Sequence, residues 1–187
     1  MIPSLDALKA IDEFRRDALV VATMTGLEEW QNISGNPDRD IPLDDMMGKA
    51  SSFALGLALA QPDHKVAVID GDGSLLSNLG SLVTVANSAP ENLIHFVLQD
   101  NMYFSTGSAP IPGADRLSFK GMASSAGYSL SYEFDDFEEF VTNLENIFQQ
   151  EGPIFVCLKI QRNGIPKSTS RSFEEAREKL RDLFEIK

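Results

Sequence analysis

Few of the residue types that build covalent crosslinks or cationic surfaces occur in this chain. Its 187 residues include one cysteine, one tryptophan and two histidines. A lone cysteine, Cys157, excludes an internal disulfide framework and suits a reducing compartment. It sits in the apolar run Ile154 to Leu158, which marks a buried thiol rather than a nucleophile. Cationic residues are outnumbered: 16 Lys and Arg stand against 28 Asp and Glu, a net charge of −12. That balance argues against nucleic acid or an anionic membrane as a partner. No apolar run is long enough to span a bilayer. The opening residues, Met1 to Asp6, lack the basic and apolar regions of a signal peptide, so a cytoplasmic location is expected. His64 follows Pro62-Asp63 in a turn, and His95 reads as packed within a strand; neither has a Ser or Cys nearby to form a nucleophile–base pair.

The charges that are present are unevenly spread. Glu133 to Glu151 holds seven acidic residues and no Lys or Arg, whereas Lys159 to Lys187 holds eight of the sixteen basic ones. Solvated helix faces account for both; alternatively, the basic tail attends an anionic ligand or a partner chain. The length fits one domain over residues 1–187, with a sizeable core.

Strand and helix patterns alternate along the chain. Helices are predicted over Ser4 to Asp17 with Ser4 as N-cap, and over Gly48 to Ala60 with Asp44 and Asp45 as caps. Others are predicted from the Gly71 turn to Asn87, and over 119–126, 136–150 and 172–184. Strands are predicted over Leu19 to Ala22, Lys65 to Ile69, Leu93 to Leu98, Tyr128 to Tyr132 and Pro153 to Ile160. Thr25 to Pro42 reads as turn-rich, and Gln99 to Leu117 as a long functional loop. This alternation predicts an α/β fold, a doubly wound parallel sheet with helices on both faces. Ligands of such sheets bind at the carboxyl ends of the strands.

Asp70-Gly71-Asp72-Gly73-Ser74 is the segment richest in chemistry. It follows the apolar run Val66 to Ile69 and opens the apolar-periodic stretch Leu75, Leu76, Leu79, Leu82, Val83 and Ala86. A tight acidic glycine turn between strand and helix offers N–H groups to an anion and carboxylates to a metal. A calcium-binding helix–loop–helix is excluded, because it needs Gly and Glu where Leu75 and Ser81 stand. A dinucleotide fingerprint is excluded by the missing third glycine at position 76. A haloacid-dehalogenase-type phosphatase, with Asp70 as nucleophile and Asp72 as acid/base, stays open as an alternative. It needs a later lysine and acidic pair that no loop clearly supplies.

Gly71-Asp72-Gly73 is followed, after one helix, by Phe96-Val97-Leu98-Gln99-Asp100-Asn101. Together these resemble the diphosphate-binding domain of thiamine-diphosphate enzymes. Met46-Met47-Gly48 with its following helix resembles the segment under the cofactor in that family. Gly71 to Gly80 and Tyr103 to Gly107 look most like sulfopyruvate and phosphonopyruvate decarboxylases. The resemblance implies Mg²⁺ held by the Asp72 carboxylate, by Asp100 or alternatively Asn101, and by the backbone carbonyl of Met102. The family usually has Asn or Thr where Asp100 stands. The resemblance also implies that Gly71, Gly73 and Ser74 approach the diphosphate. Met47, ahead of Gly48, would be the apolar wedge between the cofactor's two rings.

In that family a glutamate on a separate domain activates the pyrimidine ring. The segment before Asp45 offers one helix and one strand, too little to form that domain. The resemblance therefore implies a beta-type subunit of a split lyase acting on a small anionic 2-oxo acid. It would be completed by a pyrimidine-binding alpha-type subunit and self-associate through its own helices. A non-catalytic assembly member of the same fold stays open beside it.

Overall fold

The computed structural model describes residues 1–114, 116–164 and 172–184. Most of the loop expected over 161–170, and the basic positions 167, 171 and 187, lie outside the described residues. In chain order the elements begin with β1 (Ile2–Pro3), α1 (Ser4–Phe14), β2 (Leu19–Thr23), α2 (Met24–Gln31), β3 (Asp40–Leu43) and α3 (Ala50–Ala60). They continue with β4 (Val66–Gly71), α4 (Asp72–Leu76), α5 (Ser81–Ser88), β5 (Leu93–Gln99), β6 (Met102–Tyr103) and β7 (Ala109–Pro110). The last are α6 (Phe119–Ala126), β8 (Leu130–Phe134), α7 (Phe137–Gln149), β9 (Ile154–Gln161) and α8 (Phe173–Leu183).

Seven strands form one sheet in which every pairing is parallel. From one edge the order is β3, β2, β4, β5, β9; β8 and β1 share the far side of β9. β8 pairs with the first part of β9 and β1 with its end, Ile2 beside Ile160. β6 and β7 form a separate antiparallel hairpin after β5.

Side chains alternate across the sheet with period two, and this divides the core. Val20, Ala22, Ala67, Ile69, Ile94, Phe96, Val156 and Leu158 face one way, under Leu8 and Ile11 of α1, Trp30 of α2, and Phe140 and Leu144 of α7. Leu19, Val21, Val66, Val68, Leu93, Val97, Phe155 and Cys157 face the other way, under α3, α5 and α6. Phe173 and Leu180 of α8 also pack on that second cluster. The fold is thus a doubly wound parallel α/β sheet with helices on both faces. α2 leads outward from β2 to β3, and α3 returns on the opposite face to β4. This reversal makes the carboxyl ends of β2 and β4 a switch point, where such sheets bind ligands.

Several local expectations need correction. Thr25 to Pro42 is not simply turn-rich: it contains most of α2, a 3₁₀ turn at Pro37–Arg39 and part of β3. Ser4 is the first residue of α1 rather than its cap; Pro3 precedes it, and the Ser4 hydroxyl donates to Glu29 instead. Asp44 and Asp45 do not cap α3, whose N-cap is Lys49 with no side-chain bond. The single helix expected after the glycine turn is two, α4 and α5, divided at 77–80.

Candidate metal-binding cleft

A shallow cleft opens where β2, β4, β5 and β9 end. Gly71, Asp72, Gly73 and Ser74 line it from the β4–α4 turn, and Asp100, Met102, Tyr103 and Phe104 from the chain after β5. Met24, Thr25 and Gly26 come from the start of α2, Met47 from the loop before α3, and Arg162 from the residue after β9. Two distant motifs meet here because β4 and β5 are adjacent parallel strands, with Gly71 beside Leu98.

Asp72 begins α4 and is almost fully buried. Its Oδ1 accepts the N–H of Gly73 and its Oδ2 the N–H of Asn101, each at 2.7 Å. Burial, then the nearby negative charge of Asp100, push its carboxyl up from 3.8 to about 7. The two N–H bonds and Arg162 oppose that rise.

Asp100 faces the cleft as well. Its Oδ1 accepts the N–H of Met102 at 3.0 Å, and its Oδ2 lies 2.7 Å from Nε of Arg162. Asn101 takes a different direction. Its backbone is left-handed at φ 63°, a conformation asparagine tolerates better than most residues. Its Oδ1 accepts from Gln99 Nε2 at 2.8 Å, and Gln99 in turn accepts the thiol of Cys157 at 3.1 Å. That thiol is pushed up to about 12 by burial, the state of a structural cysteine.

Met47 sits at the mouth, 36% exposed, with Met102 at 37%. Its neighbour Gly48 is fixed from both sides: its N–H donates to Ser74 Oγ at 2.9 Å, and its carbonyl accepts from Asn78 Nδ2 at 2.8 Å. A Cβ at Gly48 would lie 2.4 Å from Ser77 Oγ, and φ is +73°. Glycine at position 73 makes room for the Tyr103 ring, which a Cβ there would meet at 2.7 Å.

The phosphatase alternative requires Asp70 as a nucleophile, and Asp70 is fully buried. The two-residue period of β4 points it along the face shared with Val68, away from the cleft. Its Oδ1 accepts the Gly71 N–H, and its Oδ2 lies 3.6 Å from Nε2 of buried His95. Nδ1 of His95 is 3.2 Å from the Tyr128 hydroxyl. His95 is packed, as expected, and an aspartate so enclosed cannot attack a substrate.

Glu29 and Arg162 are features the sequence reading missed. Glu29 lies on α2, is 1% exposed, and is ion-paired with Arg162 Nη1. Arg162 stands first beyond a buried strand, where ligand loops begin, and that position was the available signal. The turn-like composition around Gly26 concealed α2, and with it Glu29.

A glycine turn and two acidic side chains at the switch point of a doubly wound parallel sheet define a class: α/β domains that bind their ligand at the carboxyl ends of the strands. The chain belongs to the family of the C-terminal TPP binding domain of thiamine pyrophosphate enzymes, whose profile matches residues 44–158. It is 35% identical over 162 residues to the sulfopyruvate decarboxylase subunit beta of Methanothermobacter thermautotrophicus, covering 86% of this chain and 83% of that protein. It is 33% identical over 160 residues to the phosphonopyruvate decarboxylase of Streptomyces viridochromogenes, covering 86% of this chain and 39% of that protein. A more distant relative is the acetolactate synthase isozyme 1 large subunit of Escherichia coli, 28% identical over 128 residues and matched over 22% of its length. No helix among the described residues is long and apolar enough to cross a membrane.

Proposed function

We propose that this chain is the diphosphate-binding, beta-type subunit of a split thiamine-diphosphate-dependent decarboxylase of small anionic 2-oxo acids. The observation that carries the reading is the buried Asp72 carboxylate, set in one cleft with Asp100 and the backbone of Met102. These are hard oxygen donors of the kind Mg²⁺ prefers. Asp72, Asp100 and the Met102 carbonyl would hold the metal. Gly71, Gly73 and Ser74 would border the diphosphate, and Met47 would support the cofactor's rings. When bound, thiamine diphosphate supplies the carbanion-stabilising centre that a 2-oxo acid needs in order to lose CO₂.

This chain's own contribution is orientation. Ser74 and Asn78 hold Gly48 and thereby aim Met47 into the cleft. Tyr103 and Phe104 wall off its outer side. Glu29 is held by Ser4 and Arg162 and so does not serve as the acid that activates a pyrimidine ring. That acid belongs on an alpha-type partner. In this reading the chain is a single diphosphate-binding domain that also self-associates through its sheet-flanking helices.

Calorimetry of thiamine diphosphate with Mg²⁺ on the assembled complex tests the reading. Asp72→Ala should weaken metal-dependent binding by at least tenfold, by loss of a metal ligand, and leave circular dichroism unchanged. Full affinity in that variant removes the metal assignment. The same titration ranks the second ligand. Asp100→Asn should keep binding, Asp100→Ala should lose it, and Asn101→Ala should be mild; the reverse order moves the ligand to Asn101.

A further inference from the structure

Three carboxylates, those of Glu29, Asp72 and Asp100, are buried around one cation. The cation is Arg162, whose side chain is 3% exposed. Its Nε lies 2.7 Å from Asp100 Oδ2, and its Nη1 pairs with Glu29 Oε2. Its guanidinium also stands 5.7 Å from the ring centroid of Phe104, on the cleft wall. Glu29 is anchored in turn by the Ser4 hydroxyl at 2.6 Å. Where the resemblance expects a neutral Asn or Thr, this chain has a carboxylate that is already paired with a guanidinium.

We propose that Arg162 is the resident cation of the cleft: it is bonded to Asp100 and Glu29 and occupies the Asp100 carboxylate, so that a divalent metal enters only together with a diphosphate. This rests on the reading of the cleft as a metal–diphosphate site. A guanidinium on Asp100 and a metal on the same carboxylate repel each other at short range in a water-poor site. An incoming diphosphate brings the negative charge that lets both cations stay. Arg162 is thus a positioning residue that sets the order of loading.

Uptake of Mn²⁺ by the purified chain, followed as the loss of the free-ion electron paramagnetic resonance signal, tests this. The parent and Arg162→Lys, which keeps the charge, should bind Mn²⁺ only when inorganic pyrophosphate or thiamine diphosphate is added. Arg162→Gln should bind Mn²⁺ alone at least tenfold more tightly than the parent. So should the double variant Glu29→Gln/Arg162→Gln, in which the local net charge is unchanged. A purely structural ion pair would not raise metal affinity when removed. If Arg162→Gln is unfolded until Mn²⁺ restores its circular dichroism, the proposal is equally supported. It is overturned if neither variant binds Mn²⁺ alone more tightly than the parent, or if Arg162→Lys binds it as tightly as Arg162→Gln. Asp72→Ala with Mn²⁺ and pyrophosphate separates the two readings: undiminished uptake there removes the metal–diphosphate site itself.

Discussion

Asp72 bonds two backbone N–H groups and yet keeps its proton to an unusually high pH. Burial and Asp100 outweigh the bonds, so the folded chain holds that proton up to about pH 7, against 3.8 ordinarily. Between those values the folded state binds more proton than the unfolded one. Stability without metal therefore falls as pH rises through that window and levels off above it. The loss is on the order of 4 kcal/mol over the whole window, of which about 3 kcal/mol falls above pH 5. Urea melts of the metal-free chain at pH 5 and pH 8 should show it, and Asp72→Asn should flatten the difference. Equal parent stability at both pH values would contradict the assignment. Asp72 and its glycines were legible in the sequence because a strand, a turn and a helix signal stand together within ten residues. Asp100 was legible through its spacing from that turn. Arg162 and Glu29 were not, since their pairing joins positions 133 apart and leaves no local pattern.

Elements that bury a regular face were read with little error, and α6 was read to its exact ends at Phe119–Ala126. α7 shows why: its apolar residues Phe140, Leu144 and Ile147 recur at helical spacing, and the Asp136 side chain caps it by accepting from Glu139 N–H. α2 failed because Gly26 interrupts its pattern. A Cβ there would stand 3.0 Å from Ile69, so the helix needs that glycine to sit close on the sheet. The loop between β3 and α3 depends on the same kind of fit. Thr23 Oγ1 donates to the Leu43 carbonyl at 2.9 Å, and α4 with Asn78 grips Gly48. Gly48→Ala should cost about 1–3 kcal/mol through left-handed backbone strain and overpacking. It should also weaken metal-dependent thiamine diphosphate binding by moving Met47. A chemical melt of this variant that matches the parent would show that the loop adapts freely.

For the whole molecule, alternation of strand and helix was enough to give a parallel sheet covered on both faces. Strand order was not legible, since the pattern of each strand says which faces are buried but not which neighbour it finds. β1 was invisible: two residues carry no periodicity, and only pairing beside Ile160 makes them a strand. The segment before Asp45 therefore holds two helices and three strands, not one of each. It is nonetheless built into this sheet and supplies no separate pyrimidine-binding domain. The purified chain with thiamine diphosphate and Mg²⁺ should release no CO₂ from 2-oxo acids above background. Adding a pyrimidine-binding alpha-type subunit should start turnover, and a screen of sulfonate-, phosphonate- and alkyl-bearing 2-oxo acids would then identify the substrate. Robust turnover by the chain alone would overturn the split-enzyme reading. A fully assembled pair that turns over none of them would leave an assembly role.

The pairing of Arg162 with Glu29 also fixes when the cleft can exist during synthesis. Glu29 leaves the ribosome 133 residues before its counter-ion, an interval on the order of ten seconds at ordinary elongation rates. Until then Glu29 and Asp100 must remain in water, because their burial together would leave both charges without a counter-ion. β1 waits over nearly the same interval for Ile160. The nascent chain is therefore committed to a late closing step, in which the last strand of the sheet enters between β5 and β8 and brings Glu29 and Asp100 their counter-ion at once.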